Sequence, residues 1–197
     1  MKRVAVGIMI LMVFAVAGSY VSASTSLSDS SADYYHPYPT NVIPGDIILG
    51  HSPSTDWLIP GYWTHAGIIA WYNSSINDWE VIEAYYYVRV TPLKTFMKRY
   101  DAVVILRVNT SNYIRERAVL FASEQLGKPY SFEWWTKKVY ADAYYCSELV
   151  WASYMWASNG TVDIDANPGW TWTYLDGVAP QEIYDSNWTY VVYYDYS

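Results

Sequence analysis

Tyr144-Tyr145-Cys146-Ser147-Glu148-Leu149-Val150-Trp151 is the stretch on which the reading of this chain turns, and it holds the only cysteine among 197 residues. From Cys146 onward, Leu149, Val150, Ser153 and Ala157 recur at three- and four-residue steps. That spacing predicts a helix ending at Asn159-Gly160, where Gly160 suits the left-handed position just past a helix end. Cys146 then falls in the first turn, where unpaired backbone N–H groups and the positive end of the dipole favour a thiolate. Such a thiolate is a nucleophile if a base stands nearby. The plain alternative is a free cysteine acting as a small buried hydrophobe.

Working outward, the N-terminus reads as an export signal. Met1-Lys2-Arg3 is basic, Val4 to Gly18 is apolar, and Val21-Ser22-Ala23 offers a cleavage site before Ser24. The apolar run is short for a membrane span of roughly 20 residues, although an uncleaved anchor would include Ser19 to Val21. Residues 1–23 are thus expected as a signal peptide and 24–40 as a Ser/Pro-rich linker. The expected domain is 41–197. Removing the signal removes Lys2 and Arg3 and no acidic residue, leaving ten Lys/Arg against nineteen Asp/Glu. An acidic chain argues against nucleic acid and against charge-driven binding to anionic headgroups. A single cysteine excludes an internal disulfide, so stability must come from packing. The 22 Tyr, 11 Trp and 4 Phe are positioned to supply it. Asn73, Asn109, Asn159 and Asn187 stand in Asn-x-Ser/Thr sequons, the pattern of an exported glycoprotein; chance enrichment in polar turns is the alternative.

Along the domain, Asp46 to Leu49 predicts a short buried strand and Gly50 to Trp63 a long loop. Thr64 to Tyr72 and Trp79 to Tyr85 predict a hairpin, with Val88-Arg89-Val90 extending its second strand. Thr91-Pro92 reads as a cap and first position of a helix to about Tyr100. Asp101 to Val108 is a strand, and Ser111 caps a helix to Leu126 stopped by Gly127. Residues 131–143 form an aromatic connection before the Cys146 helix. Residues 161–178 read as irregular, Pro180 to Asp185 as helical, and Trp188 to Tyr194 as a closing strand. The order predicts an α+β fold with a mostly antiparallel sheet.

A cysteine nucleophile needs a histidine base and a group to orient it. Of the three histidines, His36 lies in the Pro-rich entry and His51 in a loop. His65 begins a strand beside the small residues Ala66 and Gly67, which let another element approach. Its plain reading is a satisfied strand histidine. Glu83, among Val81, Ile82 and Ala84, is a carboxylate in an apolar setting that requires a partner. If Tyr72 pairs with Asp78, Gly67 faces Glu83, and Glu83 shares a face with His65; a one-residue slip reverses that. A solvent-facing carboxylate is the alternative for Glu83, and Asp46 is the alternative orienter.

Gly45-Asp46-Ile47-Ile48-Leu49, Thr64-His65-Ala66-Gly67-Ile68, Val81-Ile82-Glu83-Ala84, Leu126-Gly127-Lys128-Pro129-Tyr130 and Tyr145-Cys146-Ser147-Glu148-Leu149-Val150 occur in that order. In this the chain resembles the circularly permuted papain-like amidases of the YaeF/YiiX group, within the NlpC-like superfamily, over roughly residues 42–192. The resemblance implies a papain-like core whose cysteine helix packs on the sheet carrying the histidine. It maps Cys146 to nucleophile, His65 to base and Glu83 to orienting residue, with Tyr130 and Tyr145 lining the substrate site. It implies no metal or cofactor. The expected activity is that of an extracytoplasmic, cell-envelope-associated thiol hydrolase (amidase or peptidase) or acyltransferase, acting on a peptide or lipid-like substrate. The aromatic richness, the sequons and the Ser-rich stalk depart from bacterial members and put a peptidoglycan substrate in question. Trp57, Trp63, Trp134 and Trp135 would suit an apolar groove. The competing reading is a non-catalytic surface protein binding glycan or a partner through its aromatics.

Overall fold

The structure, a computed structural model, describes residues 33–197. The expected signal peptide, its cleavage point before Ser24 and most of the linker lie outside the described residues. Ten elements follow one another: β1 (Ile47–His51), β2 (His65–Asn73), β3 (Asp78–Ala84), β4 (Val88–Pro92), α1 (Leu93–Met97), β5 (Ala102–Val108), α2 (Asn112–Glu124), α3 (Cys146–Ala157), α4 (Pro180–Asp185) and β6 (Thr189–Tyr196). The strands form one antiparallel sheet in the order β4-β3-β2-β1-β5-β6. No helix among the described residues is long and apolar enough to cross a membrane.

Helices cover both faces of this sheet, which is why its central strands read as unbroken apolar runs. Along β1, Ile47 and Leu49 point into a core shared with Leu149, Val150 and Tyr154 of α3 and Ala118 and Phe121 of α2. Ile48 points the other way, with Ile69, Val81, Phe96 of α1 and Tyr100. This period-2 alternation assigns each strand residue to one helical layer. Gly67 belongs to the α1 face, where a Cβ would lie 2.6 Å from Val81 Cγ1 and 3.3 Å from Phe96 Cε2. Glycine there lets α1 approach the strand that carries His65.

The β2–β3 hairpin differs at its tip from the expected pairing. Asn73 faces Asp78 and Tyr72 faces Trp79, because Asn77 adopts a left-handed conformation (φ 51°) and closes a tighter turn. A bulge then sets Ala70 and Trp71 of β2 against Glu80 alone, and beyond it Ile69 faces Val81 and Ile68 faces Ile82. That register continues to Gly67 opposite Glu83. Two further expectations are corrected. Val88–Val90 does not extend β3: the chain turns at 85–87, and β4 runs back antiparallel along it. Thr91-Pro92 ends β4 rather than opening a helix, and α1 has Pro92 at its cap without a side-chain cap bond. Thr91 is held in the ladder opposite Val81, and its hydroxyl serves a buried carboxylate instead. Ser111 does cap α2, accepting from the Ile114 N–H at 3.3 Å, and Gly127 follows the helix at φ 87°.

The segment before the domain is tied to it. Tyr34 N–H donates to the Lys98 carbonyl, His36 spans Asp195 and the Tyr100 carbonyl, and Tyr38 donates to Asp78.

Candidate active site

Cys146 is the first residue of α3. The helix starts there because Tyr145 is extended (φ −88°, ψ 169°) and its N–H donates to the carboxylate of Glu148 at 3.4 Å. That carboxylate also accepts from the Lys138 N–H at 2.8 Å. Burial pushes Glu148 up to about 7, and these backbone bonds only partly offset it. Ser147 anchors the same turn by donating to the Val178 carbonyl at 2.7 Å.

His65 is the first residue of β2 and points to the α1 face. There Tyr100 stacks on it at 5.7 Å, and Phe96 and the edge of Tyr85 close around it. Its Nε2 stands 2.7 Å from Glu83 Oε2. Nδ1 is left for the Cys146 side chain, with which His65 shares a hydrogen bond. Cys146 thus reaches from the α3 layer around the start of β2 to a histidine on the opposite layer. Only the end of a strand permits that contact.

Glu83 is fully buried, and both its oxygens are engaged. Oε1 accepts from Thr91 Oγ1 at 2.6 Å and Arg89 Nε at 3.1 Å; Oε2 accepts from His65 and from Arg99 at 2.7 Å. Burial alone would raise this carboxylate, but His65 and Arg99 hold it well below the usual range. Burial would likewise lower His65, but the adjacent Cys146 thiolate and Glu83 carboxylate raise it to about 9. For Cys146 burial favours the thiol. The His65 charge and hydrogen bond, with the N–H groups of Ala66 and Ser147, outweigh burial and lower it. The arrangement favours a thiolate–imidazolium pair, with Glu83 fixing the imidazole's orientation.

Asp46, the alternative orienter, is excluded by position. It lies at the far end of β1 from the Gly50–His65 pairing, and its carboxylate binds Arg107 at 2.9 Å. His51 ends β1 and pairs with Asp101, and His36 pairs with Asp195.

Two clefts flank the Cys146–His65 contact. One, of about 220 Å³, contains Cys146 and is lined by Leu58, Ile59, Tyr130, Trp135, Tyr145 and Leu175 among others. The second, of about 270 Å³, contains His65, Tyr86, Tyr100 and Phe132, and shares Leu58, Ile59, Tyr130 and Trp134 with the first. Burial keeps the Tyr130 hydroxyl protonated. Tyr145 presents its ring to the first cleft, while its hydroxyl braces the wall, donating to Thr136 O and accepting from the Val178 N–H. Of the four groove tryptophans, Trp134 and Trp135 line a cleft, and Trp57 is exposed on the loop beside it. Trp63 is instead a core residue packed on Tyr184 and Tyr194. Sequence reasoning missed Arg89, Thr91 and Arg99. Arg89 and Thr91 follow from a β3–β4 hairpin, in which Arg89 faces Glu83. Arg99 sits in the turn after α1 and carries no local signal.

The description "Permuted papain-like amidase enzyme, YaeF/YiiX, C92 family" matches residues 41–193. Among solved structures, the chain is similar to "metalloprotein yiiX from Escherichia coli O157:H7, DUF1105". The likeness has a TM-score of 0.62 at 24% identity, covering 78% of this chain and 98% of that one. At that identity it shows the fold alone. No curated protein matches the chain. Among the described residues of this chain, no three His, Cys, Asp or Glu side chains are grouped to hold a metal ion. With five motifs in family order and a family match over most of its length, this chain belongs to the permuted papain-like amidases of the YaeF/YiiX, C92, family.

Proposed function

We propose that the chain is an exported cysteine hydrolase in which Cys146, His65 and Glu83 act as nucleophile, base and orienting carboxylate. The observation that carries this reading is the continuous buried relay from the Cys146 sulfur through the His65 ring to Glu83, 2.7 Å beyond it. The thiolate adds to an amide or ester carbonyl carbon, forming a C–S bond and moving the π pair onto oxygen. The Cys146 N–H, one of the donors a helix start leaves free, supports that oxyanion. Collapse restores the carbonyl and expels the leaving group, which takes its proton from His65. Water, deprotonated by His65, then releases the acyl group; a substrate alcohol or amine in its place would make the enzyme an acyltransferase.

The aromatic and aliphatic lining of the Cys146 cleft suits acyl groups of cell-envelope peptides or lipids. Localisation follows from the N-terminal signal pattern, and native protein is expected to begin at Ser24. Asn109, Asn159 and Asn187 are exposed and are the sequons expected to carry glycan, whereas the Asn73 amide is engaged by Glu80.

Mass spectrometry after incubation with p-nitrophenyl butyrate tests the mechanism. An acyl adduct on Cys146 that is absent in a His65→Ala variant is expected, and an unmodified cysteine in the unaltered chain would overturn it. The exposed Phe132, Trp170 and Trp172 favour a second reading, a non-catalytic surface binding glycan or a partner. An iodoacetamide rate rising only with an ordinary thiol pKa of about 8.5 would favour that alternative.

A further inference from the structure

The Cys146–His65 contact divides a substrate as well as the site. In acyl transfer the acyl half stays bonded to sulfur, while the leaving half takes its proton from the histidine. The acyl half therefore lies in the cleft containing Cys146, and the leaving half in the cleft containing His65.

The two linings differ. No charged side chain lines the Cys146 cleft, and Leu58, Ile59, Trp135, Leu175 and Val178 give it a carbon wall. Its buried polar side chains are turned into that wall. The Tyr145 hydroxyl spans Thr136 O and the Val178 N–H, Ser147 donates to the Val178 carbonyl, and the Trp134 indole is bonded to the Tyr130 hydroxyl. A peptide brings an N–H and a C=O with every residue and is held by main-chain hydrogen bonds. Buried against this wall, those groups would lose their partners, a cost that an alkyl chain does not carry. The His65 cleft instead contains Ser52, Ser54, Thr55 and Thr64, with Arg99 paired to Glu83.

The wall is also built in advance. Leu175 stands in the left-handed region (φ 57°), uncommon for a residue with a side chain. Two reciprocal backbone bonds to Thr171, at 2.8 and 2.9 Å, hold it there. Strain kept in place this way is typical of a ligand clamp. The next turn is locked to the facing segment: a Cβ at Gly177 would lie 2.0 Å from the Trp134 carbonyl oxygen, and the Asp176 N–H donates to the Trp135 carbonyl.

We infer that the Cys146 cleft is an alkyl subsite in which Leu175 sets specificity, so that the substrate is an ester or amide of a hydrocarbon-chain acid with a polar leaving half, not a peptide. The inference rests on Cys146 being the nucleophile proposed above. The sulfur bonds the carbonyl carbon, the bond to the leaving oxygen or nitrogen breaks, and that atom takes the His65 proton. The alkyl chain remains on the sulfur side until water releases it as the carboxylic acid.

A series of p-nitrophenyl esters from butyrate to octanoate tests this, with the acetyl-dialanine ester as the peptide arm and each rate divided by that ester's uncatalysed hydrolysis. In the unaltered chain kcat/KM is expected to rise about fourfold per methylene, on the order of 10²-fold over the series. The dialanine ester should react at least about tenfold more slowly than octanoate. Leu175→Asn, a side chain that tolerates the left-handed region, should lower the octanoate-to-butyrate ratio about tenfold. That ratio is internal to one preparation, so it does not depend on how much of the variant folds. A flat series, a faster dialanine ester, or an unchanged ratio in Leu175→Asn would overturn the assignment while leaving Cys146 as nucleophile. Failure of every ester to acylate Cys146 is a different result, which removes the proposed function and this inference with it.

Discussion

Two buried histidine–carboxylate pairs sit almost side by side at the ends of adjacent strands. His65–Glu83 closes at 2.7 Å and His51–Asp101 at 2.6 Å, and both histidines are 7% exposed. By distance and burial they cannot be told apart. They differ in what else touches them. His51 stacks flat on Tyr62 at 4.1 Å, and Asp101 N–H donates to the His51 carbonyl, a cross-tie between β1 and β5. His65 offers its second ring nitrogen to a thiol, and its carboxylate also binds Arg89, Thr91 and Arg99. A histidine–carboxylate pair therefore indicates a satisfied buried imidazole, and a nucleophile on the far ring nitrogen turns it into a candidate catalytic relay.

The largest expected effect separates the pairs outright. Cys146→Ser and His65→Ala should each lower hydrolysis of p-nitrophenyl butyrate at least about 10³-fold. His51→Ala should leave activity per folded molecule unchanged and cost stability alone, about 1–3 kcal/mol in a urea titration. A comparable loss of activity in His51→Ala would erase the distinction.

Removing the carboxylates sharpens it next. Glu83→Gln leaves two guanidiniums facing a neutral amide, and should cost about 3–5 kcal/mol in the urea titration, whereas Asp101→Asn should cost about 1 kcal/mol. Because Glu83 is held below its ordinary value of 4.5, its stabilisation is complete above that pH and is lost as pH falls. The unaltered chain should lose stability on acidification through this group, and Glu83→Gln should lack that part of the slope.

The pH profile is the finest of the three. The thiolate–imidazolium pair exists between the lowered titration of Cys146 and that of His65 at about 9. Activity should rise with pH as the thiolate forms and fall above about 9 as His65 loses the proton it gives to the leaving group. In Glu83→Gln the alkaline limb should move to lower pH, since the carboxylate that raises His65 is gone. In His51→Ala both limbs should stay in place. An alkaline limb that ignored Glu83 would break the link between the carboxylate and the imidazole.

Local chemistry made most of the elements legible, and the candidate site residues with them. The start of α3 is written in the Tyr145–Glu148 contact and in the apolar spacing after Cys146, and the buried strands are written in their β-branched runs. Glu83 was legible as a carboxylate that its apolar neighbours required to be paired. What surrounds it was not, because Arg99 arrives from a turn after α1 and Thr91 read locally as a helix cap. Trp63 and Trp134 look alike in sequence; one fills the core and the other faces the cleft, according to which elements pack over them.

The hairpin shows where the boundary falls. Continued from its tip, the Asn73–Asp78 pairing would place Glu83 opposite Ile68, on the α3 face and away from His65. The bulge at Ala70 and Trp71 shifts the register by one residue and returns Glu83 to the α1 face. The sequence by itself determined the residue types, the strand that begins with His65 and the helix that begins with Cys146, since these depend on neighbours a few positions away. Only the tertiary structure decided that the two meet around a strand end and that Glu83 faces the imidazole. Strand register and layer assignment depend on contacts between segments distant in the chain, which no local pattern carries.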